Sequence, residues 1–231
     1  MGQFGEYFPK TPPARAVLGV ARVPDPPIQI NAVAVRNLAE RKAVNPPNYV
    51  VRESASPGVL THDRLFVSGM LGTDNIGKVP YDSATQVDLA LDRLQAVVRA
   101  AGLELSNMVF VNPYLTQEIP MRVMNERYAR RFEFGNSPAR ATIEVSSLPG
   151  NAHIEYTGIA VRDMQQRRAV RPKNMAPSPT ASPVFSPARR CIGRPRAVLF
   201  RDRTAGSLRT PHNINSGRPC ATSSIISKKL T

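Results

Sequence analysis

Pro138-Ala139-Arg140-Ala141-Thr142-Ile143-Glu144-Val145, followed after a turn by Ile154-Glu155-Tyr156-Thr157-Gly158-Ile159-Ala160-Val161-Arg162, is the stretch on which the fold turns. Its alternation of apolar and β-branched residues, interrupted by Pro149-Gly150, predicts two strands at 139–147 and 153–162. Near the start of the chain Pro13-Ala14-Arg15-Ala16-Val17-Leu18-Gly19-Val20 echoes the first of these, and Ile28-Gln29-Ile30-Asn31-Ala32-Val33-Ala34-Val35-Arg36-Asn37 echoes the second. The offset is 125 positions for the first pair and 126 for the second, so the extra residue falls in the turn, where a hairpin accepts an insertion. The chain therefore reads as an internal repeat with its first copy cut short. Met1 corresponds to position 126, so residues 1–37 would hold only the end of a helix and two strands, at 14–21 and 28–36.

Working outward, residues 38–48, with Pro46-Pro47, read as a linker, and a complete unit runs over 49–163. It opens with the extended run Tyr49-Val50-Val51-Arg52 and continues with a strand at Arg64–Met70. Asp82 or Ser83 can cap a helix whose apolar face is Val87, Leu91, Leu94, Val98 and Ala101, ending at Gly102. A strand follows at Met108–Tyr114. After Pro120 comes a second amphipathic helix presenting Met121, Met124, Tyr128 and Phe132, and then the two closing strands. The order ββαβαββ predicts an α+β fold, a mixed sheet with two helices on one face. The other sheet face then needs a cover, most simply further copies of the chain.

Charge is unevenly spread. The 231 residues carry a net +14, but residues 168–231 alone hold thirteen Lys/Arg against the single acid Asp202, which leaves the preceding part near neutral. Both cysteines and eight prolines lie in that same segment, which has no apolar period, so it predicts a basic disordered tail. The pI near 10.7 belongs to this appendage and does not mark the folded unit as a nucleic-acid binder. Any contact with nucleic acid would be non-specific and through the tail. There is no transmembrane-length apolar run, and a folded unit free of cysteine fits a cytoplasmic protein.

Arg140 is the leading candidate for chemistry. A permanently charged guanidinium in a largely apolar strand must be paired or must face a ligand, and its planar donor fork suits a carboxylate. The alternative is a structural ion pair with Glu144, Glu155 or Asp163. In the first copy Arg15 keeps its place while Gly19 and Gln29 stand where Glu144 and Glu155 do, so the arginine persists without those two counter-ions. Two other patterns are set aside. Gly72-Thr73-Asp74-Asn75-Ile76-Gly77-Lys78 has phosphate-loop spacing, but Val79 takes the position that needs a hydroxyl for magnesium, and a turn explains it better. His62, His153 and His212 have no second ligand at metal spacing, so neither metal nor cofactor is expected.

Residues 49–163 resemble the RidA/YjgF family of enamine/imine deaminases. The resemblance is carried by Pro138-Ala139-Arg140-Ala141, Val145, Leu148, Ile154-Glu155 and Ile159-Ala160-Val161-Arg162, with Ser68-Gly69 and Asn125, Tyr128 and Phe132. It implies a chorismate-mutase-like fold, a homotrimer with a ligand cleft between subunits, and an arginine gripping the carboxylate of a 2-imino or enamine acid while water releases a 2-oxo acid and ammonia. Carried over, it names Arg140 for the carboxylate and Gly69 and Thr142 for backbone contacts. The glutamate that positions water in deaminating members is assigned to Thr157, the tyrosine-bearing segment has no counterpart between Glu53 and Val59, and Met70 replaces a glutamine, which together imply weakened hydrolysis. The alternative is a non-catalytic ligand-binding or interaction protein of the same family. An older ribonuclease label attaches to the family, but no His/Lys/acid set here suits RNA cleavage.

Overall fold

Alternation and capping produce most of the elements at the expected places. The computed structural model describes residues 6–8, 11–23, 28–47, 49, 54–182 and 184–186. Strands β1 (Lys42–Val44), β2 (Gly58–Leu60) and β3 (Arg64–Leu71) lead to helix α1 (Ser83–Ala100), then β4 (Met108–Leu115), helix α2 (Met121–Ala129), β5 (Ala139–Arg140), β6 (Ile143–Glu144) and β7 (Ile154–Val161). These seven strands form one mixed sheet in the order β1-β2-β3-β7-β4-β5, with β6 also on β4. β5 and β6 run parallel to β4, and β7 is antiparallel to both β3 and β4.

The Asp82 carboxylate caps α1 by accepting from the Thr85 N–H at 2.8 Å. From there Val87, Leu91, Leu94 and Val98 turn one buried face to the sheet, meeting Leu65, Val67, Met108, Ile154 and Tyr156. α2 adds Met124 and Tyr128 to the same core, while Met121, in its first turn, stays exposed. Arg127 of α2 and Arg131, just past its end, bridge to Asp88 and Asp92 of α1 on the outside at 3.1 and 2.7 Å. The helix-free sheet face carries two smaller apolar clusters, one of Leu71, Val145, Leu148 and Ala152 joined by Leu18, the other of Val109, Ala139 and Val161 joined by Phe110 and Ile159.

Four expectations are revised. The strand expected at 139–147 is split into β5 and β6, each pairing with β4 in a short register. Residues 14–21 and 28–36 form no strand beyond one isolated bridge, Gly19 to Ser147. A strand exists only where neighbours take its backbone hydrogen bonds; β7 lies between β3 and β4, whereas among the described residues no strand pairs with 28–36, which is mostly exposed. The expected linker 38–48 contributes β1 to the sheet edge, whereas of the strand expected at 49–52 only Tyr49 lies within the described residues. Finally, the start of the basic segment is attached: β8 (Arg168–Val170) pairs with β9 (Val184–Ser186), and the Ser182 N–H donates to Pro138 O at 3.3 Å beside β5. Positions 187–231 of the expected disordered tail lie outside the described residues.

The phosphate-loop lookalike is a turn. Asp74 Oδ1 accepts from the N–H groups of Ile76 and Lys78, and the Arg93 guanidinium fastens the loop to α1 through Leu71 O, Thr73 Oγ1 and Asp74 O at 2.7–2.8 Å.

Candidate functional site

The site begins with an irregularity in β3. Its register against β7 shifts between Val67 and Met70, which takes Ser68 and Gly69 out of the ladder. The Ser68 hydroxyl donates to Ser56 O at 2.6 Å and accepts from the Arg15 N–H at 2.8 Å, and the Gly69 N–H donates to Arg15 O at 3.1 Å. The backbone freed by the bulge thus receives the N-terminal segment. Further along that segment, Ser56 donates to Pro12 O and Pro13 O, and Gly19 exchanges backbone hydrogen bonds with Ser146 and Ser147.

Side-chain parity places the acid. The Tyr156 ring stacks on Tyr128 beneath α2, with centroids 6.2 Å apart, so its neighbours Glu155 and Thr157 emerge on the opposite face of the sheet. Glu155 stands opposite Leu71 of β3 and is only 2% exposed. Its carboxylate occupies the space where a Cβ on residue 69 would be, so Gly69 is the residue that admits it.

Around this carboxylate opens a cleft of about 300 Å³, lined by Arg15, Tyr49, Ser54, Gly69, Met70 and Glu155 among others. That is room for a small molecule. The Arg15 guanidinium donates to Ser54 Oγ at 2.9 Å, which fixes the cation at the wall. A fixed cation, a buried carboxylate and hydroxyls facing one small cavity suit a ligand that bears its own carboxylate and reacts with water.

A family model described as endoribonuclease L-PSP matches residues 50–162. Protein DfrA of Myxococcus xanthus is 35% identical over 122 residues, covering 52% of this chain and 88% of that protein. The 2-iminobutanoate/2-iminopropanoate deaminase of Rattus norvegicus is 36% identical over 109 residues, 46% of this chain and 79% of that protein. The chain belongs to the endoribonuclease L-PSP (RidA/YjgF) family. A crystal structure of the yeast protein YEO7, 23% identical, superposes with a TM-score of 0.50 over 53% of this chain and 99% of that one, and the fold is the α+β chorismate-mutase-like fold of RidA proteins.

Of the four site residues carried over from the RidA resemblance, Arg140, Gly69, Thr142 and Thr157, the cleft gathers Gly69 alone. Arg140 lies three strands away on edge strand β5, where its guanidinium donates to Asn125 Oδ1 of α2 at 2.7 Å and sits 5.1 Å from the centre of the Tyr128 ring. Burial there lowers its pKa and raises that of the Tyr128 hydroxyl. Thr142 falls between β5 and β6, and its buried hydroxyl has no hydrogen-bond partner among the described residues. Thr157 is within hydrogen-bond reach of the Tyr114 hydroxyl, whose pKa is raised mainly by burial. Sequence reasoning missed Arg15, Tyr49 and Glu155 as partners. Glu155 was visible in Ile154-Glu155, but as a counter-ion; the signal for Arg15 was its place in the Pro-Ala-Arg echo. Among the described residues no group of three or more His, Cys, Asp or Glu is gathered, and no helix is long and apolar enough to cross a membrane.

Proposed function

We propose that this protein hydrolyses small 2-imino acids to 2-oxo acids and ammonia, in the cleft floored by Gly69 and Glu155. The observation that carries the reading is the buried Glu155 carboxylate seated on Gly69 in a cavity that also holds a guanidinium. For 2-iminopropanoate the balance is one imine plus one water giving pyruvate plus ammonia. Glu155 takes a proton as water adds to C2 and passes it to the imine nitrogen, giving the carbinolamine; it then relays the C2 hydroxyl proton to the same nitrogen as the C–N bond breaks and the C2 carbonyl forms, while the positive wall holds the substrate carboxylate. The deaminase name of the rat relative supports the substrate class. On this reading the acid is Glu155, and Thr157, turned toward Tyr114, does not weaken the reaction.

The correspondence of 13–20 with 138–145 is supported by their shared Pro-Ala-Arg and by the way the first stretch docks on the second unit. A homotrimer is supported by the row Phe66, Ile159 and Phe110, half-buried side chains in register across three strands of the helix-free face.

The test is release of 2-oxobutanoate and ammonia from 2-iminobutanoate generated in situ by an amino-acid oxidase. Acceleration over the spontaneous rate is expected. Binding of 2-oxobutanoate with no acceleration would instead favour a ligand-binding protein without turnover.

A further inference from the structure

We propose that Arg15, which lies outside the family domain at residues 50–162, is the group that grips the ligand carboxylate, so that each chain completes its own cleft with its N-terminal segment. The inference rests on the cleft assigned above, but concerns binding, whether or not hydrolysis follows.

Three observations converge. First, the chain has two arginines in the same setting, Pro13-Ala14-Arg15-Ala16 and Pro138-Ala139-Arg140-Ala141, and they end up in different places. Arg140 is committed to Asn125 and the Tyr128 ring on the helix side of edge strand β5, whereas Glu155 emerges on the other face, two strands further in. Within one chain Arg140 and the Glu155 cleft therefore cannot meet. Arg15 lines that cleft.

Second, the segment bearing Arg15 is seated by backbone contacts at both ends. Pro12 and Pro13 carbonyls accept from Ser56, Arg15 exchanges hydrogen bonds with Ser68 and Gly69, and Gly19 N–H donates to Ser147 O at 2.9 Å. Leu18 packs on Leu71, Val145 and Leu148, and Gly19 sits so close to the Ser147 side chain that a Cβ there would overlap it. These attachments are independent of the Arg15 side chain, so the guanidinium is presented by a fixed backbone.

Third, the surroundings of Arg15 leave a polar wall suited to an anion. One guanidinium nitrogen is positioned by Ser54 Oγ at 2.9 Å, and the same cavity contains Tyr49 and Gly69 beside Glu155. A small ligand whose carboxylate meets Arg15 would bring its C2 carbon toward Glu155, the order of groups that a 2-oxo or 2-imino acid has along its own backbone.

The experiment measures 2-oxobutanoate binding by calorimetry to the full chain and to R15A, R15K and R140A, alongside 2-iminobutanoate hydrolysis. Loss of a charge-assisted bidentate contact is expected to weaken binding by R15A about 10- to 100-fold. R15K, which keeps charge but not the planar fork, is expected between R15A and the unmodified chain, and guards against loss of fold in R15A. R140A should bind within about twofold of the unmodified chain. No binding by the unmodified chain, or unchanged binding by a folded R15A or R15K, would overturn the inference. Loss with R140A but not with R15A would overturn it too, showing that a second copy's arginine finishes the site. If the unmodified chain binds but does not hydrolyse, the hydrolytic reading falls while the assignment of Arg15 is still decided by R15A.

Discussion

Two stretches of nearly identical opening sequence, 13–20 and 138–145, differ in almost everything that surrounds them. The second is woven into the sheet: Ala139 and Arg140 pair with Phe110 and Val111, Ile143 and Glu144 with Tyr114 and Leu115, and its arginine leans on α2. The first forms no strand among the described residues and lies across the bulge in β3, where its arginine lines a cleft. The difference teaches that the neighbouring strands decide where a Pro-Ala-Arg guanidinium ends up, against α2 in one case and at the wall of a cleft in the other.

The comparison is most sharply broken by removing the acid that shares the cleft with Arg15. Glu155→Gln is expected to lower 2-iminobutanoate hydrolysis about 10²–10⁴-fold while leaving 2-oxobutanoate binding within a few-fold, as read by coupled assay and calorimetry. Gly69→Ala comes next. Its Cβ would overlap the Glu155 carboxylate, so the strand or the acid must move, at a cost of about 1–3 kcal/mol in denaturant unfolding together with loss of turnover. Unchanged stability and turnover would mean that the close fit of Glu155 on Gly69 has no consequence.

For the woven arginine the expectation is reversed. Arg140→Ala removes a hydrogen bond to Asn125 and a cation over the Tyr128 ring, so it should cost about 1–2 kcal/mol of stability and leave the cleft's chemistry intact. At the small end, Thr157→Val should change hydrolysis less than about twofold, since its neighbour is Tyr114 rather than the cleft. A large loss would return Thr157 to the site.

Much of the fold was legible because its signals are local. Asp82 as a cap and the Val87, Leu91, Leu94, Val98 spacing mark α1, and β3, β4 and β7 fall within a residue or so of their expected bounds. The break of 139–147 into two short strands was not legible without the pairing, since both halves keep one offset on β4 and the gap falls opposite Asn112 and Pro113, the latter with no N–H to give. The site was legible only in its parts. Gly69 and Glu155 are 86 positions apart in the chain, yet adjacent, because β7 inserts beside β3; no spacing rule announces that. Arg15 lies 54 positions before Gly69 and 140 before Glu155, and joins them through backbone hydrogen bonds to Ser68 and Gly69 that any residue could make. Motif reasoning favoured Arg140 as a charge in an apolar strand, and within one chain the cleft of Gly69 and Glu155 lies on the opposite face of the sheet.

The central claim, that Arg15 and Glu155 of one chain form a single ligand site, is tested most directly by a crystal structure of the full chain with 2-oxobutanoate bound. The carboxylate is expected on the Arg15 guanidinium beside Ser54, with the keto carbon turned toward Glu155. A carboxylate held by Arg140, or a ligand seated away from Gly69, would contradict it.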